Sequence, residues 1–95
     1  MKYEEMGDFE INCRVHAEIM QISGLNSFKA KDYCNNPSDA WSIIIDNHIS
    51  IECVTVNRHT FTYRAYHSAS FTKSTHENPL RAAMIVFLKM REKAQ

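Results

Sequence analysis

The sequence predicts an α+β fold: a three-stranded antiparallel β-meander packed with two to three α-helices, in the order α-α-β-β-β-α. Two Asn-Pro pairs, Asn36-Pro37 and Asn78-Pro79, have the chemistry of helix starts. Between them, apolar and polar side chains alternate in short runs joined by short links, which is typical of a meander. With 95 residues and an ordinary globular composition, the chain is predicted to form a single domain over residues 1–95.

The bulk composition limits the classes of protein that this sequence can encode. The formal net charge is zero, so no general basic field favours nucleic acid. The three cysteines are an odd number with no paired spacing, and we expect them to be reduced thiols. The longest unbroken apolar run, residues 82–88, is far shorter than the roughly 20 residues that span a bilayer. We therefore expect a cytoplasmic protein without a membrane partner.

Residues 8–22 fit both a strand pattern and a helix pattern. Apolar residues alternate strictly along this segment, but several of them also recur at helical spacing. Composition favours the helix, with Asp8 as its cap and Gly24 as its left-handed terminus. Residues 25–32 are predicted to form a loop with a short extended piece near Phe28.

The second predicted helix begins at the first Asn-Pro pair. Asn36 can accept hydrogen bonds from free backbone N–H groups, and Pro37 loses no needed donor at the first helical position. We expect the helix to end near His48. Four side chains are predicted to lie on its buried side: Ala40, Trp41, Ile44 and Ile45. Trp41 is predicted to anchor the helix in the core, with an interface hot spot as the alternative.

The three predicted strands cover residues 49–56, 60–66 and 69–73. A change of alternation after Cys53 predicts a bulge in the first strand, and Phe71 is predicted to point inward from the third. The outer face of the sheet is rich in threonine. We therefore expect that face to lie in solvent or against a partner.

The last predicted helix begins at Asn78-Pro79 and is apolar around most of its circumference. Its main stripe starts at Leu80, and Ile85 and Leu88 widen the apolar surface. Such a helix must be buried on more than one side. We expect it to lie between the sheet and a second layer, which is either the first helix or a neighbouring subunit.

Three segments carry a resemblance to a known family: residues 8–15, residues 32–41 (DYCNNPSDAW) and residues 78–88 (NPLRAAMIVFL). In these segments the chain resembles small phage and prophage proteins, related to the NinX-type proteins of lambdoid phages and to the phage ABA-sandwich domain. The resemblance implies a phage-encoded protein that acts in the bacterial cytoplasm, and it transfers no catalytic residue. Residues 52–76 match that family poorly, so a function particular to this chain is expected in the strands and their loops.

The sequence predicts no catalytic, cofactor-binding or metal-ligating residue. His59, His67 and His76 fall in or near loops that border the strands, but no two histidines have the helical spacing of a metal site. We expect them to be solvated loop residues. Cys34 lies just before a helix start, where the dipole could activate a thiol, but no base has a fixed place beside it. A packed thiol is the favoured interpretation.

These observations predict a non-enzymatic phage accessory protein that binds another protein of the host or phage. Such binding would modulate or inhibit a host or defence component, as an anti-CRISPR protein does. The predicted partner interface contains Arg58, Arg64, Tyr66, Lys73, Ile85 and Leu88. A homodimer or higher oligomer formed through the last helix is a linked prediction.

Two other functions stay open. The order helix–strand–strand–strand–helix is shared with double-stranded-RNA-binding domains, so RNA or DNA binding is the first alternative. On that hypothesis Arg58, Arg64 and Lys73 would supply a weak basic patch. An uncharacterised small enzyme is the second alternative.

Overall fold

The computed structural model describes residues 1–21 and 30–94. It confirms the predicted α+β class and the order α-α-β-β-β-α. The helices are α1 (Asp8–Met20), α2 (Pro37–Asp46) and α3 (Pro79–Lys93), and the strands are β1 (Ser50–Asn57), β2 (Thr60–His67) and β3 (Thr72–His76). Short 3-10 turns, Tyr3–Glu5 and Ser68–Ser70, precede α1 and β3. None of the helices in the described ranges is long and apolar enough to cross a membrane.

Both Asn-Pro pairs start helices, as predicted. The Asn36 side chain accepts a hydrogen bond from the backbone N–H of Ser38 at 3.0 Å, and a proline follows as the first residue of α2. The Asn78 side chain accepts from the backbone N–H groups of Leu80 and Arg81 at 3.0 and 3.3 Å, at the start of α3. Local sequence chemistry therefore determines where these two helices begin.

α1 is a helix, as composition favoured, but its cap differs from the prediction. Gly7 occupies the cap position, and Asp8 is the first helical residue. Asp8 therefore lies in the first turn, where a carboxylate is favoured by the positive end of the helix dipole. After the last turn, Gln21 has a left-handed φ of 55°. The predicted terminus at Gly24 and the extended piece near Phe28 lie outside the described residues.

The sheet is the predicted antiparallel meander, with strand order β1-β2-β3. Two details differ from the prediction. The register shift in β1 lies between Thr55 and Asn57 rather than at Cys53. β3 begins after most of the predicted residues 69–73, because a 3-10 turn and a left-handed Phe71 precede it. As a result Phe71 is exposed to solvent instead of pointing inward.

α3 forms the middle layer of the fold. It packs against β2 and β3 on one side and against α1 and α2 on the other. Residues 81–88 are all buried, and each large apolar side chain among them contributes roughly 1.5–3 kcal/mol by leaving water. The second layer predicted for this helix is therefore formed by α1 and α2 of the same chain.

Trp41 is not a core residue, contrary to the prediction, since its side chain is 64% exposed. α2 instead buries Ala40, Ile43 and Ile44. Trp41 and Ile45 follow two of these residues by one position, so they lie about 100° further around the helix. α2 packs mainly against α3, and that rotation places both side chains in solvent.

The face of the sheet away from α3, which was expected to lie in solvent or against a partner, carries both exposed and half-buried side chains. Ala65 of β2 is buried, so its neighbours Arg64 and Tyr66 point to the opposite, outer face. Glu52 lies opposite Arg64 in β1, and Lys73 lies opposite Tyr66 in β3. Within the described ranges this outer face is covered by no helix.

Candidate functional site

The family-like segments build an internal polar network rather than a site open to solvent. Arg81 is only 7% exposed, and its Nη1 donates to Asp8 Oδ1 at 2.7 Å. Its Nη2 donates to the backbone carbonyls of Met6 and Glu4 at 2.6 and 3.3 Å. Nε of Arg81 is buried with no hydrogen-bond partner among the residues described. The guanidinium therefore fastens the N-terminal segment to α3.

Asn78 connects the two Asn-Pro segments. Its Nδ2 donates to the Cys34 carbonyl at 2.7 Å and to Asn35 Oδ1 at 3.1 Å, while its Oδ1 caps α3. Asn12 of α1 accepts from the Cys34 backbone N–H at 3.0 Å and donates to Asp32 at 2.9 Å. These contacts hold α1, the turn before α2 and the start of α3 together. They give the network a structural role.

The Asp8 carboxyl is the charged partner in this network. Burial raises its pKa, but hydrogen bonds from Arg81 and Asn35 outweigh burial, so the net pKa lies below the ordinary value of 3.8. The carboxylate is therefore ionised at neutral pH. It serves as a fixed anion for Arg81 rather than as a general acid.

Cys34 is a packed thiol, as favoured from the sequence. It is fully buried, and burial, followed by the charge of Asp8, raises the pKa of its thiol to about 12. Its Sγ faces the Asp8 carbonyl at 4.0 Å. A thiol with this pKa is protonated at neutral pH, so Cys34 is not an activated nucleophile.

The loop histidines make separate local contacts. His67 Nδ1 lies 2.7 Å from Ser70 Oγ, and His76 Nδ1 accepts from the Asn78 backbone N–H at 2.9 Å. His59 lies in the β1–β2 turn, where its backbone N–H donates to the Asn57 side chain. Across residues 1–21 and 30–94, no three His, Cys, Asp or Glu side chains are grouped so as to hold a metal ion.

The predicted interface residues separate into three groups. Arg64, Tyr66 and Lys73 share the outer face of the sheet. Arg58 lies in the β1–β2 turn, roughly 20 Å from Tyr66 along the strand. The prediction for the remaining two residues needs correction, because Ile85 and Leu88 are 1% and 3% exposed. Both pack in the core of α3 and offer no surface to a partner.

Phe71, which was predicted to point inward, instead lies exposed just before the start of β3. Phe71 is 92% exposed, and its φ of 54° lies in the left-handed region. Left-handed backbone is rare for a bulky side chain with a Cβ, and it costs roughly 1–2 kcal/mol. Four side chains form the surface that we call the Phe71 surface: Arg64, Tyr66, Phe71 and Lys73.

The turn that carries Phe71 is fixed by several hydrogen bonds. His67 Nδ1 contacts Ser70 Oγ, which lies 2.8 Å from Thr72 Oγ1. Thr72 is buried, and Lys93 of α3 donates to the Ser70 carbonyl at 3.0 Å. The Phe71 backbone N–H closes the turn on the Ser68 carbonyl at 3.2 Å. These contacts hold the strained backbone in place.

A shallow cleft of about 420 Å³ lies beside Phe71. Its lining residues are Tyr66, His67, Ser68, Phe71, Thr72 and Lys73. Next to it, Arg64 Nε donates to Glu52 Oε1 at 2.6 Å, which neutralises that guanidinium. Lys73 forms no ion pair within the described ranges. The Phe71 surface therefore combines the exposed ring of Phe71, the phenol of Tyr66 and the ammonium group of Lys73, which has no carboxylate partner within the described ranges.

A second cleft, of about 450 Å³, lies between α1, α2 and α3. Acidic Glu18, Asp39 and Asp46 line it together with basic Lys31 and Arg91. Because charges of both signs face this cleft, it favours no ligand charge.

No feature of the sequence indicated the exposure of Phe71. An aromatic residue in an alternating segment is usually an inward strand residue. The left-handed turn is held by local hydrogen bonds, such as that between Ser70 and Thr72, and by one long-range hydrogen bond from Lys93 of α3.

Comparison with known protein families identifies a match over nearly the whole chain. The model of a family described as "Bacteriophage P22, NinX" matches residues 2–91, which is nearly the whole chain. The matched range includes both Asn-Pro segments and the complete sheet. No curated protein and no solved structure matches the chain.

Proposed function

The chain belongs to the bacteriophage P22 NinX family, and on that basis we propose that it is a phage accessory protein that binds another protein through the Phe71 surface. The role is non-enzymatic in this proposal. The partner is a host or phage protein, and binding modulates or inhibits a host or defence component. Family membership supports the phage setting of this proposal.

The observation that carries the proposal is the state of Phe71. Its side chain is almost fully exposed, so burial of the ring contributes little to folding. Its backbone is held in a conformation that disfavours folding by roughly 1–2 kcal/mol. Backbone strain that is maintained by surrounding contacts is concentrated at functional sites.

The rigid turn makes Phe71 a suitable anchor for a partner. Little conformational freedom of the backbone is lost on binding, because hydrogen bonds from Ser70 and Lys93 already fix the turn. A large aromatic side chain that enters a partner's pocket is a common interface hot spot. Lys73 next to it favours a carboxylate on the partner. We therefore propose a partner with an apolar pocket bordered by acidic side chains.

A binding experiment with matched aromatic variants tests this proposal. Tagged protein is used to retain a partner from host lysate, and the affinity of the purified pair is then measured by calorimetry. Phe71→Ala should weaken binding by roughly 30-fold or more, as expected for a hot spot of about 2 kcal/mol. Trp41→Ala is the control, since Trp41 is also an exposed aromatic residue but lies on α2.

The control also defines the outcome that overturns the proposal. If Trp41→Ala abolishes binding and Phe71→Ala does not, the interface lies on α2. If the lysate yields no partner and both variants behave as the wild type, the binding role itself is wrong. Loss of binding in Phe71→Ala alone supports the Phe71 surface.

The geometry gives little support to nucleic-acid binding. Arg64 is paired with Glu52, and Arg58 lies at the other end of the hairpin from Lys73. These cations do not form a continuous stripe along a phosphate backbone. We expect no salt-dependent gel shift with RNA or DNA. A shift at low salt that disappears when Arg58, Arg64 and Lys73 are neutralised would favour the alternative.

A further inference from the structure

β1 is an edge strand of eight residues, and the edge that points away from β2 is not paired with another strand in the described ranges. The strand order is β1-β2-β3, so β1 has β2 on one side and no strand among the described residues on the other. All of its residues except Val54 are exposed. An edge of this kind presents a row of unpaired backbone N–H and C=O groups to another strand.

The two edges of the sheet differ in how they are protected. β3 has five residues, and Lys89 of α3 donates to the backbone carbonyl of Lys73 at 3.4 Å. β1 contains no lysine, arginine or proline. Its one charge, Glu52, is paired with Arg64 of the neighbouring strand, and its register shift lies beyond Thr55. The regular part of β1, residues 50–55, therefore lacks the usual defences against strand pairing.

We propose that β1 pairs antiparallel with β1 of a second copy of the chain, which joins the two sheets into one of six strands. α3 packs on β2 and β3 far more than on β1, so a second sheet can approach this edge without meeting the helix layer. Inward-facing Ile51 and Cys53 are exposed on the same edge. The proposal is independent of the Phe71 surface.

Symmetry and charge select one register for this pairing. A two-fold axis perpendicular to the sheet keeps every side chain on its own face, so each residue must lie opposite a residue of the same face in the partner strand. This is possible only if one residue lies opposite its own copy, with the axis between the two copies. Within residues 50–55, an axis at Glu52 or at Cys53 gives the longest regular pairing. The axis at Glu52 sets two carboxylates directly opposite each other, which is unfavourable. The axis at Cys53 pairs Ile51 with Thr55 and Glu52 with Val54, and it avoids that repulsion.

The selected register makes a specific geometric prediction. Residues that oppose each other in an antiparallel pair have Cα atoms roughly 4.5–5.5 Å apart, and disulfides form when that distance is about 4.4–6.8 Å. The two copies of Cys53 would therefore lie within disulfide range across the axis. In this dimer both Phe71 surfaces lie on the same side of the six-stranded sheet, near its two outer edges.

The test combines sedimentation of the reduced protein with oxidative trapping. In sedimentation, the wild type and Cys53→Ser should form a concentration-dependent dimer. Cys53→Lys should raise the dimer dissociation constant by roughly tenfold or more, because two ammonium groups would face each other at the axis. Diamide oxidises the two thiols to a disulfide and is itself reduced at its N=N bond to the hydrazine. It should give a covalent dimer with the wild type and with Cys13→Ser, but not with Cys53→Ser.

Each result decides for or against this dimer. Cys53 is exposed, so its variants should fold, and their circular dichroism spectra should match that of the wild type. The oxidative trapping of the wild type uses no variant, so it tests the dimer even if a variant fails to fold. A strict monomer at high concentration, or a dimer that Cys53→Lys leaves intact, overturns the proposal. A covalent dimer that requires Cys13 instead of Cys53 also overturns it. The Phe71→Ala binding result is unaffected by any of these outcomes, so the two proposals fail separately.

Discussion

Replacing Phe71 with glycine is expected to stabilise the fold while it removes the proposed hot spot. The φ of 54° is unfavourable for any residue with a Cβ, by roughly 1–2 kcal/mol, and glycine avoids this penalty. Glycine also gives the unfolded chain more freedom, which offsets roughly 0.5–1 kcal/mol of the gain. Because the ring is 92% exposed, its removal loses little packing. We expect a net gain of about 0.5–1 kcal/mol, or about 2–8 °C in Tm for a domain of this size.

Phe71→Ala is the matched comparison for this prediction. Alanine removes the ring but keeps the Cβ, so the backbone strain remains and the free energy of unfolding should stay close to that of the wild type. His48→Gly is a second control, because exposed His48 has a φ of 55° and lies at the end of α2. Histidine tolerates left-handed backbone better than phenylalanine, so its replacement should give a smaller gain and leave partner binding unchanged.

Urea denaturation followed by far-UV circular dichroism measures these differences directly. The strain argument is refuted if Phe71→Gly is no more stable than Phe71→Ala. The functional argument is refuted if both variants bind the partner as tightly as the wild type. Higher stability together with lost binding is the combination expected of a residue kept for recognition.

Three further predictions concern the polar network. Asn78→Asp keeps the cap of α3 but loses the Nδ2 donor to the Cys34 carbonyl, so it should lower the unfolding free energy by about 1–3 kcal/mol. Asn36→Asp keeps the cap of α2 and should be nearly neutral. Arg81→Ala should lose about 1.5–3 kcal/mol, since a nearly buried cation with three acceptors is removed while the remaining Asp8 carboxylate can be solvated. The half-exposed Arg14→Ala should lose less than about 1 kcal/mol. The pKa of Asp8 is lowered on folding, so its contribution to stability is fully present above the ordinary pKa of 3.8 and is lost as pH falls through the folded pKa. Denaturation curves at a series of pH values should show this acid loss in the wild type and a smaller one in Asp8→Asn.

Each of these predictions has a result that would contradict it. Equal effects of Asn78→Asp and Asn36→Asp would mean that the link to the Cys34 carbonyl contributes nothing beyond capping. If Arg81→Ala were as stable as Arg14→Ala, water would be making the hydrogen bonds that the Arg81 guanidinium makes in the wild type, and the predicted loss would be wrong. An Asp8→Asn variant with the same acid profile as the wild type would assign the loss to other carboxylates.

The sequence by itself determined the parts of the fold that depend on local chemistry. The Asn-Pro pairs predicted two helix starts because a side-chain cap and a missing N–H act within a few residues. Alternation predicted the meander, and the all-round apolar surface of α3 predicted its burial on two sides. Alternation along β2 also predicted that Arg64 and Tyr66 lie on the outer face of the sheet.

Tertiary structure decided what depends on contacts between distant segments. It placed Ile85 and Leu88 in the core, because α1 and α2 of the same chain, and not a neighbouring subunit, form the second layer over α3. It exposed Trp41, because an apolar helix face is buried only where another element reaches it. The turn at Phe71 is held by local hydrogen bonds and by Lys93, which lies 22 positions further along the chain, so alternation alone could not reveal that the ring points into solvent.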